Sequence, residues 1–475
     1  MNLTIQDFTK RKFSLLKAAK NKPILSIVII TWITMWLSIN TKPESVYQIF
    51  NSPIQFINGI RFLGSIILSI ISVLLIVYLF IQKKIKKFSI TFILFGLYFT
   101  THLFGLIDTM DRSLSLDNIY LIILSFGTIS SLIILDNYYN QKIVNFLFVF
   151  SILILFSGYM ISVLGTDTDI VSESLKKGNL YLLFHPEVEI FYQSSPRITG
   201  FGRALALTAI ALMSVLLISK INKKINLLIF FILIFFSCLI WLGQSRGAIL
   251  CYYLTSIILI FFLNHLNIFK KLLLFISITF FSIFITQTYL KISYDQSPVY
   301  LDDNKLNKLN KLNKLEEKNE ANDFKIRVLD SEHGTSGRFN LWSIAIEKYD
   351  KEKIFGYGSQ GDRHMLFEYT NKWSNNSSNS IIYSLLSGGY VGAVLIILFY
   401  IFILNILLNF VVEKKILKKK YNIEKKNLIH TISVLFIIFF SIRSIFENSF
   451  GVFSVDFLFM ILCTYIAEKN KKKFI

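Results

Sequence analysis

Residues 62–87 read FLGSIILSIISVLLIVYLFIQKKIKK, an unbroken apolar run followed by Lys83, Lys84, Lys86 and Lys87. A helix needs roughly 20 apolar residues to cross the hydrocarbon core of a bilayer, and this run supplies them. Lysines placed directly after such a run mark the cytoplasmic side. The same pattern recurs outward in both directions. Apolar runs fall at 24–39, 62–82, 89–107, 118–135, 143–165, 204–219, 225–243, 247–264, 272–290, 380–411, 428–446 and 449–467. The chain is 53% hydrophobic, with mean hydropathy +0.56. The expected fold is all-α: a polytopic transmembrane bundle of about 12 spans with one large, partly helical periplasmic loop. The run at 380–411 is longer than one span needs, so it tilts or extends past the membrane. The first run ends in Ser38-Ile39-Asn40-Thr41, without a small-residue cleavage pattern, and reads as a retained helix.

With the N-terminus inside, the inner segments hold 26 Lys and Arg11 against 5 acids. The outer segments and outer helix ends hold 14 Lys and 9 Arg against 25 acids. The net charge of +20 is therefore a topology signal. It is no footprint of nucleic-acid binding, and no nucleic-acid partner is expected. Both termini are expected on the cytoplasmic side. Three organisational segments follow: helices 1–9 over 1–290 with a medium outer loop at 166–203, a large outer loop at 291–379, and helices 10–12 with a basic tail over 380–475. Within the large loop, 304–320 is a low-complexity insert in which Asn-Lys-Leu repeats. Cys238, Cys251 and Cys463 all fall in spans. Neither a disulfide framework nor metal-ligand spacing results, and no cofactor is expected.

Orienting a membrane protein requires only lysine. Arginine held on the outer side suggests a task for guanidinium, and gripping phosphate is the leading one. Arg197 and Arg203 flank Gly200 and Gly202 before the sixth span. Arg246 sits in Ser245-Arg246-Gly247 between two spans, and Arg338 starts a short amphipathic stretch carrying Phe339, Trp342, Ile346 and Tyr349. Arg443 lies inside the outer end of the eleventh span. It reads either as a ligand or as the partner of Glu447 one turn later. An ionised residue in a span faces a cavity or a partner; Asp456 reads as a structural hydrogen-bond partner. Glu332 beside His333, and Glu187 beside His185, read either as solvated loop groups or as candidate general bases. His102, at the end of the third span, reads as an interface residue. Gly356, Gly358 and Gly361 make a flexible turn, and Gly388, Gly389 and Gly392 permit close approach of helices or lipid.

These motifs together resemble the O-antigen ligase/polymerase superfamily. The resemblance runs over about 195–450: Ser245-Arg246-Gly247, Ser336-Gly337-Arg338 with Trp342, Gly356-Tyr357-Gly358, and Asn379 leading through Leu385 to Gly389 and Gly392. Two positions depart from it. Ser378 stands where ligases of the family carry a His, and Lys353 stands where a Pro often precedes Gly-x-Gly. The resemblance implies a metal-independent glycosyltransferase that takes a polyprenyl-pyrophosphate-linked glycan at the periplasmic face of the inner membrane. The missing His puts an O-antigen polymerase ahead of a ligase transferring polymer to lipid A-core, with a lipid-linked oligosaccharide flippase behind both. Expected partners are the polyprenyl-pyrophosphate-linked oligosaccharide, membrane lipids and, as a candidate, a polysaccharide chain-length regulator. Under this reading Arg338 and Arg246 act on the phosphates and Glu332 or His333 on the acceptor. Arg197, Arg203, Arg443, Trp342 and Asn379 bind substrate.

Overall fold

The computed structural model describes residues 23–38, 53–85, 88–107, 119–138, 141–165, 198–218, 222–242, 246–262, 268–296, 338–350, 353–370, 377–417, 428–447, 449–451 and 454–471. Among them are fourteen helices and no strand. Twelve coincide with the apolar runs: α1 (Pro23–Ser38), α2 (Pro53–Ile81), α3 (Ile90–Phe104), α4 (Ile119–Tyr138), α5 (Gln141–Gly165), α6 (Ile198–Ile218), α7 (Lys223–Leu242), α8 (Arg246–Phe262), α9 (Ile268–Gln296), α12 (Ser380–Leu417), α13 (Leu428–Phe446) and α14 (Val455–Lys471). Two short helices, α10 (Arg338–Glu347) and α11 (Gly361–Thr370), belong to the large loop.

The helices sort into a centre and a perimeter. Every residue of α13 from His430 to Phe440 is buried, as is every residue of α14 from Val455 to Glu468. A helix that is apolar all round belongs inside. α13 packs on α14, α8, α6 and α12. At the perimeter, Leu74 of α2, Phe231 of α7, Phe280 of α9 and Leu404 of α12 are exposed. Apolar bands of this extent are incompatible with water and ordinary against lipid. Six stretches are long and apolar enough to cross a membrane, and five shorter apolar helices accompany them. The protein is an all-α polytopic membrane protein.

Within the spans, hydroxyls take the carbonyl four residues back, as in Ser69 to Ser65, Thr128 to Leu124 and Ser214 to Ile210. No water reaches these groups in lipid, so they are satisfied within their own helix. Gly127 of α4 lies so close to α2 that a Cβ there would stand 2.4 Å from the Ser69 Cβ. Small residues let these two backbones approach.

The lysine-bearing end is closed by buried carboxylates. Glu468 of α14 accepts from Ser89 Oγ at 2.6 Å, from the backbone N–H groups of Ile90 and Thr91, and from Thr91 Oγ1. It thereby caps the N-terminus of α3, where unpaired N–H groups favour a negative charge. Asp136 accepts from Tyr465 and pairs with Lys469. His102 differs from the expected interface position: it is fully buried, packed against Tyr98 and Phe99 of its own helix and Tyr383 of α12.

Candidate functional site

The described part of the large loop is anchored by an opened turn in α12. Gly389 has φ 67° and ψ −164°, which interrupts the helix. The carbonyls of Leu386 and Ser387 accept instead from the N–H groups of Tyr357 (2.7 Å) and Gly358 (3.1 Å), while Val391 N–H donates to the Ile354 carbonyl at 3.4 Å. The loop backbone therefore occupies part of the ladder of the span. Gly356 and Gly358 have φ of 72° and 83°. A Cβ on Gly356 would stand 2.5 Å from Gly389 N, and one on Gly389 would stand 1.9 Å from the Ile354 oxygen. These contacts give the Gly-x-Gly pattern its physical reason. The segment expected to be a flexible turn is locked onto α12 and the end of α3.

A small core covers this junction: Ala345, Tyr349, Tyr357, Met365, Leu366, Ile382 and Leu386, with Trp342 packed beside it. Tyr349 donates to the Lys353 carbonyl, and Tyr357 Oη accepts from Asp350 N–H at 3.0 Å. The inward face of α10 is carried by Leu341, Trp342 and Ala345; Phe339 and Ile346 point outward. Trp342 donates from Nε1 to the Ser377 carbonyl at 2.6 Å, which turns its ring toward the core. Asp362 is buried at the start of α11 and accepts from both N–H and Oγ of Ser377 at 3.0 Å. Burial pushes its carboxyl above the ordinary Asp range, against the opposing hydrogen bonds from Ser377. Ser377 is thus held on both sides, and the next residue, Ser378, adopts φ 42°. A non-glycine residue at positive φ persists where its surroundings determine it.

Asn379 then caps α12. Its Oδ1 accepts from the N–H groups of Ile381 and Ile382 at 2.9 and 3.1 Å, and its Nδ2 donates to the Ile445 carbonyl at 3.1 Å. The end of α13 gathers further donors. Ser380 Oγ lies 3.4 Å from the Glu447 carbonyl. Arg338 donates from Nη1 to the Phe446 carbonyl and from Nη2 to Glu447 Oε1 at 3.0 Å. Arg338 therefore secures the loop helix to the negative end of α13.

Arg443, one turn earlier, pairs with Asp456 rather than with Glu447. It also donates to Ser449 Oγ at 3.3 Å. Arg203 Nη1 reaches the other oxygen of Asp456 at 2.6 Å. One buried carboxylate thus bridges two guanidinium groups from α6 and α13. Of the two readings for Arg443, the pairing with Glu447 does not form, because α14 begins beside the end of α13 and brings Asp456 closer than the helical neighbour.

The structure brings Arg203, Arg443, Arg338, Trp342 and Asn379 to one end of the bundle. Their exposures differ: the Arg203 and Arg443 side chains are 13% and 9% exposed, and Arg338 is 30%. Among the described residues Arg338 uses two of the five N–H donors of a guanidinium, which leaves three for a ligand. Arg246 opens α8, which packs on α6 and α13; its side chain lies outside the described residues. Arg197, Glu332, His333, Glu187 and His185 also lie outside them, as does the 304–320 insert. Among the described residues no cluster of metal-ligating side chains occurs.

Comparison with known families falls on this same region. Residues 230–397 match the family model described as O-antigen ligase. This match covers about a third of the chain and is what that region is similar to. The match runs from α7 to the middle of α12 and includes Arg246, Arg338, Trp342, Asn379 and the opened turn at Gly389. It is consistent with the O-antigen ligase/polymerase superfamily and with glycosyltransferase-like activity. Arg203, Arg443, Glu447 and Asp456 lie outside the matched residues. No curated protein and no solved structure matches the chain.

Proposed function

We propose that the protein is an O-antigen polymerase, transferring a growing glycan from polyprenyl pyrophosphate to the next lipid-linked repeat unit. The observation that carries this reading is the convergence of Arg203, Arg443 and Arg338 at the end of the bundle where the region similar to the O-antigen ligase family presents its loop. Negative charge builds on the pyrophosphate as the glycosidic bond breaks. Guanidinium groups held in place beforehand stabilise that charge without reorganising and without a metal. Arg338 makes the direct contact through its remaining donors. Arg203 and Arg443, fixed on Asp456, supply a standing positive field behind it, and Arg246 at the start of α8 contributes from the same end. The lysine asymmetry supports cytoplasmic termini and a periplasmic site in the inner membrane of a bacterium.

Ser378 in place of the ligase His favours the polymerase, while the description of the matched family favours a ligase that joins polymer to lipid A-core. Electrophoresis of surface polysaccharide separates the two. In cells lacking the native copy, Arg338→Ala should leave single repeat units on lipid A-core and no ladder. Accumulation of long polymer on the carrier lipid would instead identify a ligase. A normal ladder from the variant would remove Arg338 from the site.

A further inference from the structure

The proposed transfer needs a group to take the proton of the acceptor hydroxyl, and we infer that Glu447 is that group. The inference rests on the glycosyl-transfer reading above and names the base for it. The described carboxylates of the arginine-bearing end narrow the choice. Asp362 and Asp456 are 1% exposed and engaged by Ser377 and by two arginines, respectively. Glu347 pairs with Lys348 on the outer face of α10 and is 69% exposed, and Asp350 is exposed beside it. Among the described carboxylates only Glu447 combines partial exposure, 26% for its side chain, with contact to Arg338.

Its backbone is pinned while its side chain stays reachable. Glu447 N–H donates to the Arg443 carbonyl at 2.8 Å, and its own carbonyl accepts from Ser449 N–H at 2.9 Å, with Ser380 Oγ at 3.4 Å. Only Oε1 accepts from Arg338. A carboxylate accepts at both oxygens, and among the described residues none donates to Oε2, which leaves it to an acceptor hydroxyl. A donor phosphate held by the remaining N–H groups of Arg338 would then lie beside a hydroxyl held by Glu447. One guanidinium–carboxylate pair thus sets the leaving group and the nucleophile in register.

The step balances without a further reactant. The acceptor oxygen forms its bond to the anomeric carbon as its proton passes to Glu447. The bond from the anomeric carbon to the phosphate oxygen breaks, and its electron pair leaves with the pyrophosphate. Glu447 then releases the proton to water.

The test uses full-length protein in lipid nanodiscs, with lipid-linked repeat units extracted from cells lacking it. Glu447→Gln keeps an acceptor oxygen for Arg338 but removes the base. Its kcat should fall by about 10²- to 10⁴-fold, with KM within about threefold. Formate added to Glu447→Ala should restore part of the rate, an effect that a purely structural contact would not show. Glu447→Gln within tenfold of wild type, or Glu447→Ala without formate rescue, overturns the assignment. An active wild type with an active Glu447→Gln removes Glu447 alone, whereas a wild type that transfers nothing removes the glycosyl-transfer reading with it.

Discussion

Asp456 decides what two of the arginines can do. A buried carboxylate between two guanidinium groups is stable only as a set, because each charge has lost its water. Removing the shared partner by Asp456→Asn should cost about 3–5 kcal/mol, the range for breaking a buried pair. The variant should melt at clearly lower temperature in detergent; unchanged melting would refute the bridge. The sequence shows Arg443 in a span and an acid at the same membrane level, which signals a partner. It does not show which acid, because Glu447 is nearer along the chain and Asp456 nearer in space. The same limit applies to Arg338. Its motif marks it as important, but its contact with the end of α13 depends on the loop folding back across 108 residues of chain. Glu447 was legible only as a helical neighbour of Arg443, so its place beside Arg338 had no local signal.

At the scale of elements, the helices were the most legible feature, since hydrophobic length is a one-dimensional property. α9 runs to Gln296, six residues past the apolar run, and α2 starts at Pro53, ahead of it. Helices continue into the interface after the hydrocarbon ends, so apolar length marks the membrane and not the helix. The excess length at 380–411 was visible; the opened turn inside it was not. Gly389→Ala should be damaging for two reasons: φ of 67° disfavours any side chain, and the added Cβ would meet the Ile354 oxygen. Limited proteolysis should show faster cleavage between α10 and α12, and transfer should fall. Gly96→Ala is the matched control, because nothing lies within 4 Å of a Cβ there. Equal behaviour of the two variants would show that the junction does not hold the loop.

Across the whole molecule, charge divides between the two ends. Asp136, Lys469 and Glu468 close one end; Arg203, Arg443, Arg338, Asp456 and Glu447 meet at the other. The proposed orientation puts the first in the cytoplasm, so a fluorescent protein fused after Ile475 should glow and a periplasmic phosphatase fused there should be inactive. The opposite result would invert the proposed orientation and move the arginine end to the cytoplasm.

The opened turn also limits how the loop and its span can behave. In an uninterrupted helix the Ser387 carbonyl would receive the Val391 N–H; here Gly358 takes that place and Val391 turns to Ile354. An N–H directed to Ile354 cannot at the same time close the rung to Ser387. Straightening α12 and keeping the loop seated are therefore competing uses of the same backbone groups, and any strain that winds the helix shut would unfasten Arg338 from the mouth of the bundle.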